Sequence, residues 1–128
     1  MADSTGFSGY VKLARNSAAT KPSSNQVTVK YAVISAASSG NNTIVAAVTG
    51  KKIRVLSLFY LAAGTVTVTW QSGAGGTALS GGLQHTAQTG VVLPFNEDGW
   101  FETVAAALLN LNLSGNIAIA GALSYIEV

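Results

Sequence analysis

From Val27 onward the chain is written in short β-branched and aromatic runs separated by clusters of Gly, Asn and Ser. Val27, Val29, Tyr31 and Val33 alternate with Thr28, Lys30 and Ala32, the period-two pattern of a half-buried strand. The cluster 38–42 (SSGNN) predicts a turn, 43–49 (TIVAAVT) a second strand closed by Gly50, and 51–62 (KKIRVLSLFYLA) a third. In that third run Ile53, Val55, Phe59 and Leu61 share one parity and Leu56, Leu58 and Tyr60 the other. Both faces are apolar, so the strand is either central between two layers or covered on its outer side by another chain. The cleanest alternation follows at 65–72 (TVTVTWQS), with Val66, Val68 and Trp70 on one side and Thr65, Thr67 and Thr69 on the other.

A glycine-rich loop at 73–82 leads to a short polar strand at 83–89 and then to VVLPF, where Pro94 belongs at a strand end because it cannot donate to a ladder. The tetrad NEDG predicts a tight turn before Trp100 and Phe101. Residues 105–108 could form a brief helix; Leu109, Leu111 and Leu113 then alternate with Asn110, Asn112 and Ser114 as a strand. After a hairpin at 114–116, Ile117, Ile119, Leu123 and Tyr125 continue the inward face, opposite the small Ala118, Ala120, Ala122 and Ser124. About eight strands at intervals near ten residues, with no long helical period, predict an all-β antiparallel sandwich or jelly roll over 27–128. Its expected core includes Val66, Val68, Trp70, Trp100, Leu111 and Leu113.

Residues 1–26 have a different texture. They are rich in Ser, Ala, Thr, Gly and Asn, with Phe7, Tyr10, Val11 and Leu13 as the bulky apolar groups, too few to fold alone. An extended arm fits, docking through Phe7, Tyr10, Lys12, Leu13 and Arg15 on a neighbouring subunit or another partner protein; a disordered tail is the plain alternative.

Composition sharpens this picture toward assembly. Charged residues are 9% of the 128 positions and apolar residues 48%, where soluble domains carry roughly 25% charged. So little charge leaves much of the outside to be hidden against other subunits. The threonine row Thr65, Thr67, Thr69 and the small-residue row Ala118, Ala120, Ala122 are the expected inter-subunit surfaces. All seven basic residues and one acid precede position 55, and four acids follow it, so the halves carry about +6 and −4. That asymmetry suits head-to-tail contact between copies or docking on an acidic partner. The basic residues of the arm are too sparse to track phosphates, which disfavours nucleic acid.

Candidate chemistry is thin. With no cysteine, disulfides, thiolate metal sites and cysteine nucleophiles are excluded. The single histidine, His85, has no triad or metal-binding partners at any telling spacing and reads as an ordinary polar strand residue. Glu97, Asp98 and Glu102 read as a solvated turn cluster, ahead of a calcium site or a hydrolase pair. Trp70, Trp100, Phe101 and Tyr60 could form a sugar-stacking platform, although core or interface positions suit them better. No catalytic residue, metal or cofactor is expected. The amino terminus lacks a signal-length apolar core, and the run 55–63 is too short for a bilayer, so synthesis in the cytoplasm without a membrane partner is expected.

The segments LPFNEDGWFET, ALLNLNLSG and IAIAGALSYIEV, preceded by GKKIRVLSLFYLAAGTVTVTWQSG, resemble a group of small structural proteins of tailed bacteriophages. The resemblance covers residues 51–128. It implies a virion component, foremost a capsid decoration or cement protein on the head exterior, trimeric and bound to the major capsid protein. Tail or head-fibre domains share such β-folds and are the next expectation, followed by a carbohydrate-binding attachment module. The resemblance supplies no catalytic residue.

Overall fold

The computed structural model describes residues 27–128. The expected arm over 1–26, with Phe7, Tyr10, Lys12, Leu13 and Arg15, lies outside the described residues. Ten strands follow in order: β1 (Lys30–Ala36), β2 (Gly40–Val45), β3 (Ile53–Ala62), β4 (Val66–Ser72), β5 (Thr77–Ala78), β6 (Leu83–His85), β7 (Thr89–Leu93), β8 (Phe101–Glu102), β9 (Leu109–Leu113) and β10 (Ile119–Glu127). Sheet A runs β1-β10-β3-β7, with β8 also on β3; sheet B runs β2-β9-β4-β5, with β6 also on β4. Every pairing is antiparallel.

The pairing is nested. β1 lies on β10, β2 on β9, β3 on β7 and β4 on β6, so the chain is one long hairpin folded over on itself. The lateral pairings β10 on β3 and β9 on β4 then close each half into a sheet. This is a jelly roll, which answers the sequence expectation of an all-β sandwich. Its core is the inward set of both sheets, including Ile34, Ile53, Val55, Leu58 and Ile119 from A and Val66, Val68, Trp70, Leu109, Leu111 and Leu113 from B. Four rings interleave through it. Tyr60 and Phe101 come from sheet A, and Trp70 and His85 from sheet B. Trp70 sits 5.7 Å from Phe101 and 6.3 Å from Tyr60, and Tyr60 meets His85 edge-on at 5.3 Å. Such tilted and edge-to-face pairs suit the ring quadrupoles.

Several local expectations are corrected. The second strand occupies Gly40–Val45 and not 43–49. Asn42 draws the polar stretch into the sheet: its backbone N–H donates to the Asn110 side chain and its amide donates to the Ser38, Gly40 and Leu111 carbonyls. Residues 105–108 are a turn with Ala106 at φ 63°, not a helix. The expected strand 83–89 splits at Gln88 (φ 65°) into β6 and the start of β7.

The largest correction concerns β3. Its register against β10 shifts between Ser124 and Tyr125, with Ser57 opposite Ser124 and Val55 opposite Tyr125, leaving Leu56 as the extra residue of a β-bulge. The bulge reverses parity. Ile53 and Val55 face the core before it, Leu58 and Tyr60 after it, and Phe59 and Leu61 are turned outward. Beside the bulge the 94–100 loop is tied down, with Asn96 N–H donating to the Leu56 carbonyl and Trp100 N–H to the Val55 carbonyl. Trp100, expected in the core, is 42% exposed. Its indole N–H donates to the Pro94 carbonyl at 2.8 Å, so the ring closes the loop on itself from outside, and Phe101 is the aromatic that enters the sandwich.

Two hydroxyls join the segment after β8 to both sheets. Thr103 Oγ1 accepts from Ile53 N–H at 3.0 Å, and Ser72 Oγ accepts from Val104 N–H at 3.0 Å. Each satisfies a backbone donor where the chain crosses between layers, which a buried crossing requires.

Candidate interaction faces

The strand registers place five of the large exposed apolar side chains on one surface, the outside of sheet A. Reading across β1, β10, β3 and β7, one row is Val33, Ala122, Phe59, Val92. The row on one side is Ser35, Ala120, Leu61, Gly90, and on the other Tyr31, Ser124, Ser57. Tyr31, Val33 and Val92 are 79%, 73% and 76% exposed, and Phe59 and Leu61 are also open to solvent. No charged residue interrupts these rows. Ion pairs lie toward one end of the sheet, where Lys30 meets Glu127 at 3.2 Å and Glu102 meets Arg54 Nε at 2.7 Å and Lys52 at 3.6 Å. The Arg54 hydrogen bond holds the Glu102 carboxyl below its ordinary pKa.

The outside of sheet B is equally free of charge but polar. Thr43, Asn110 and Gln71 form one row, Asn41, Asn112 and Thr69 the next, and Thr67 stands beside Gln84. The amides bond to one another. Asn41 Oδ1 accepts from Asn110, Asn112 and the Gly75 N–H, while Asn110 also donates to Gln71 and accepts from Asn42 N–H. Asn110, fully buried under this network, has its polar atoms satisfied by it, as burial demands.

The expected inter-subunit residues therefore divide. Thr67 and Thr69 lie on the outside of sheet B and Thr65 in the exposed turn before β4, whereas Ala120 and Ala122 lie on the outside of sheet A and Ala118 in the exposed approach to β10. They belong to opposite sides of the sandwich and make no common face. Of the expected core residues, Val66, Val68, Trp70, Leu111 and Leu113 are buried, and Trp100 is not. The sequence reading did not assemble Tyr31, Val33, Phe59, Leu61 and Val92 into one surface. The signal it held was the third strand's apolarity on both faces.

His85 occupies the rim of the core. Its Nε2 lies 3.0 Å from the Tyr60 hydroxyl and its Nδ1 3.4 Å from Thr89 Oγ1. Thr89 Oγ1 gives its own proton to the Thr86 carbonyl and accepts from Thr86 N–H. Nδ1 must then be the donor toward Thr89, which leaves Nε2 as the acceptor of the Tyr60 proton. Burial pushes the Tyr60 hydroxyl up to about 12. Outside this chain a shallow cleft of about 350 Å³, bordered by Thr65, Thr67, Gln84, His85 and Ser114, opens over β4 and β6. Hydroxyls and one imidazole border it, and no carboxylate does. Among the described residues no group of three or more His, Asp or Glu could hold a metal ion, and no helix is long and apolar enough to cross a membrane.

No family model matches the chain, and no curated protein matches it. Among solved structures, a chain of the Cyanophage Pam1 capsid asymmetric unit is similar, with TM-score 0.47 and 14% identity over 88% of this chain and 94% of that chain. At that score the likeness carries no functional weight.

Proposed function

We propose that the chain is a bacteriophage virion structural protein, a decoration or cement protein that binds the head exterior as an oligomer and stabilises the shell. The observation that carries this reading is the set of uncharged, largely apolar rows on the outside of sheet A, up to four strands wide. A contiguous surface of that kind fits a contact with protein. The low charge of the whole chain and the resemblance of residues 51–128 to small tailed-phage structural proteins support the same reading. The action is mechanical: copies bridge neighbouring major capsid proteins and oppose the outward pressure of packed DNA. At about 25 cal/mol per Å2, a few hundred Å2 of apolar contact per copy supplies several kcal/mol, repeated by the symmetry of the shell. No step requires a catalytic residue, a cofactor or a metal. Cryo-electron microscopy of particles from the encoding phage tests it. Copies are expected at symmetry axes on the head exterior, and finding all copies on the tail would overturn it.

A further inference from the structure

The partner that fits the outside of sheet A can be read from the side-chain sizes in its rows. We infer that this face is covered by a second copy of itself, stacked face to face about a two-fold axis that runs along the strands between β10 and β3. The inference rests on the reading that the face is buried in the assembled protein, and it names what buries it.

A two-fold contact places each residue against the partner's equivalent of another, and the reverse contact recurs by symmetry. With the axis along the strands, β10 faces the partner's β3 and β1 faces the partner's β7. In the central row the small Ala122 then meets the large Phe59 and Val33 meets Val92; in the row on one side Ala120 meets Leu61. In the remaining row Tyr31 comes over Pro94, one residue beyond the Leu58–Leu93 pair, while Ser124 is buried and hydrogen-bonded to Ser57 within the one copy. Large enters small at the two central contacts, Phe59 on Ala122 and Leu61 on Ala120, while at the edges Val33 meets Val92 and Ser35 meets Gly90; interdigitation at the centre is how stacked sheets pack. The other two-fold lying in the face, across the strands, would set Phe59 against Phe59 and Ala122 against Ala122, a collision beside a void. No residue of the three rows carries a charge, so two copies meet without like-charge repulsion.

Strand and residue spacings give the face roughly 300–400 Å2, below the ~800 Å2 per partner of a standard stable interface. Self-association is therefore expected to be weak and concentration-dependent.

Sedimentation of the full chain without heads tests the pairing separately from particle binding. The wild-type chain is expected to reach the mass of two copies. Phe59→Ala opens two voids and Ala122→Phe sets ring against ring, and each should weaken pairing at least ~10-fold. The double variant F59A/A122F exchanges the two sizes, keeps one large and one small residue at each contact, and should restore pairing. Circular dichroism verifies folding, which these outward positions leave intact. A wild-type chain that stays monomeric to ~1 mM, a three-copy mass indifferent to these substitutions, or a folded double variant that pairs no better than the singles would overturn the inference. Failure of head binding with pairing intact would instead count against the virion reading alone.

Discussion

On the outside of sheet A, Val33, Ala122, Phe59 and Val92 stand side by side; on the outside of sheet B the corresponding place is taken by Thr43, Asn110 and Gln71. Neither set of rows carries charge, yet their demands differ. The amides and hydroxyls of sheet B satisfy one another within the chain, through the bonds centred on Asn41 and Asn110. The apolar side chains of sheet A have no such internal remedy, and water is a poor neighbour for them. One face is complete in a single copy; the other, on the proposed reading, is completed by association. The difference shows that a low charge content alone does not locate an interface. What locates it is whether the uncharged groups are satisfied where they stand.

Both faces hang on one core, and the largest expected effect tests that premise. Trp70→Ala should cost about 3–5 kcal/mol, measured by denaturant unfolding, because the ring is buried among Tyr60, Phe101 and the sheet B leucines. A loss under about 1 kcal/mol would contradict that placement.

Tyr60 gives a pH-dependent version of the same test. Its folded-state pKa is raised from 10.0 to about 12. Its contribution is therefore fully present below pH 10 and is lost as pH rises toward 12, by about 2–3 kcal/mol. Tyr60→Phe should be the less stable protein at neutral pH, since it strands the His85 acceptor. Its deficit should shrink across the same alkaline window. A deficit constant with pH would contradict the assignment.

The comparison of the two faces is sharpest at Asn110 and Phe59. Asn110→Leu leaves the Asn42 N–H and the Gln71 carbonyl oxygen without this partner, and should cost about 1–3 kcal/mol of monomer stability. Phe59→Ala on the opposite face should cost the monomer less than about 1 kcal/mol while weakening association. If Phe59→Ala destabilises the monomer more than Asn110→Leu does, the division between a self-satisfied face and an unfinished one fails. Smallest is the rim. Glu102→Gln removes the pairing with Arg54 and Lys52, which is partly solvated and worth under about 1 kcal/mol. Because the folded pKa is lowered, that contribution is present above the ordinary carboxyl pKa of 4.5 and fades as pH falls through the folded value. Equal acid sensitivity in the variant would exclude it.

Much of the sandwich was legible from period-two alternation. Val66, Val68 and Trp70, and Leu109, Leu111 and Leu113, face inward because each strand runs straight through its apolar set. The face assignments failed where the backbone breaks that period. The bulge at Leu56 reversed Phe59 and Leu61, and no residue type in KKIRVLSLFYLA announces it, since a bulge is set by the partner strand's register. Asn42 looked like a turn residue because its side chain competes for backbone groups; here the carbonyls it caps belong to the strand itself and to β9. Trp100 looked like core because a large ring directly after a glycine turn commonly plugs the end of a sandwich; here its indole N–H instead bonds the Pro94 carbonyl, brought near by the loop, and the ring stays outside. The apolar face depends on lateral neighbours from four strands, an order fixed by the nested hairpin and invisible to any local window.

The chain has no cysteine, so single thiols report each face directly. Val92→Cys places one on the outside of sheet A and Thr43→Cys one on the outside of sheet B, both exposed in a single copy. Labelling rates of the assembled and the dissociated protein should differ at least ~10-fold for Val92→Cys and remain unchanged for Thr43→Cys. Equal rates at Val92→Cys in the two states, or protection confined to Thr43→Cys, would contradict the account.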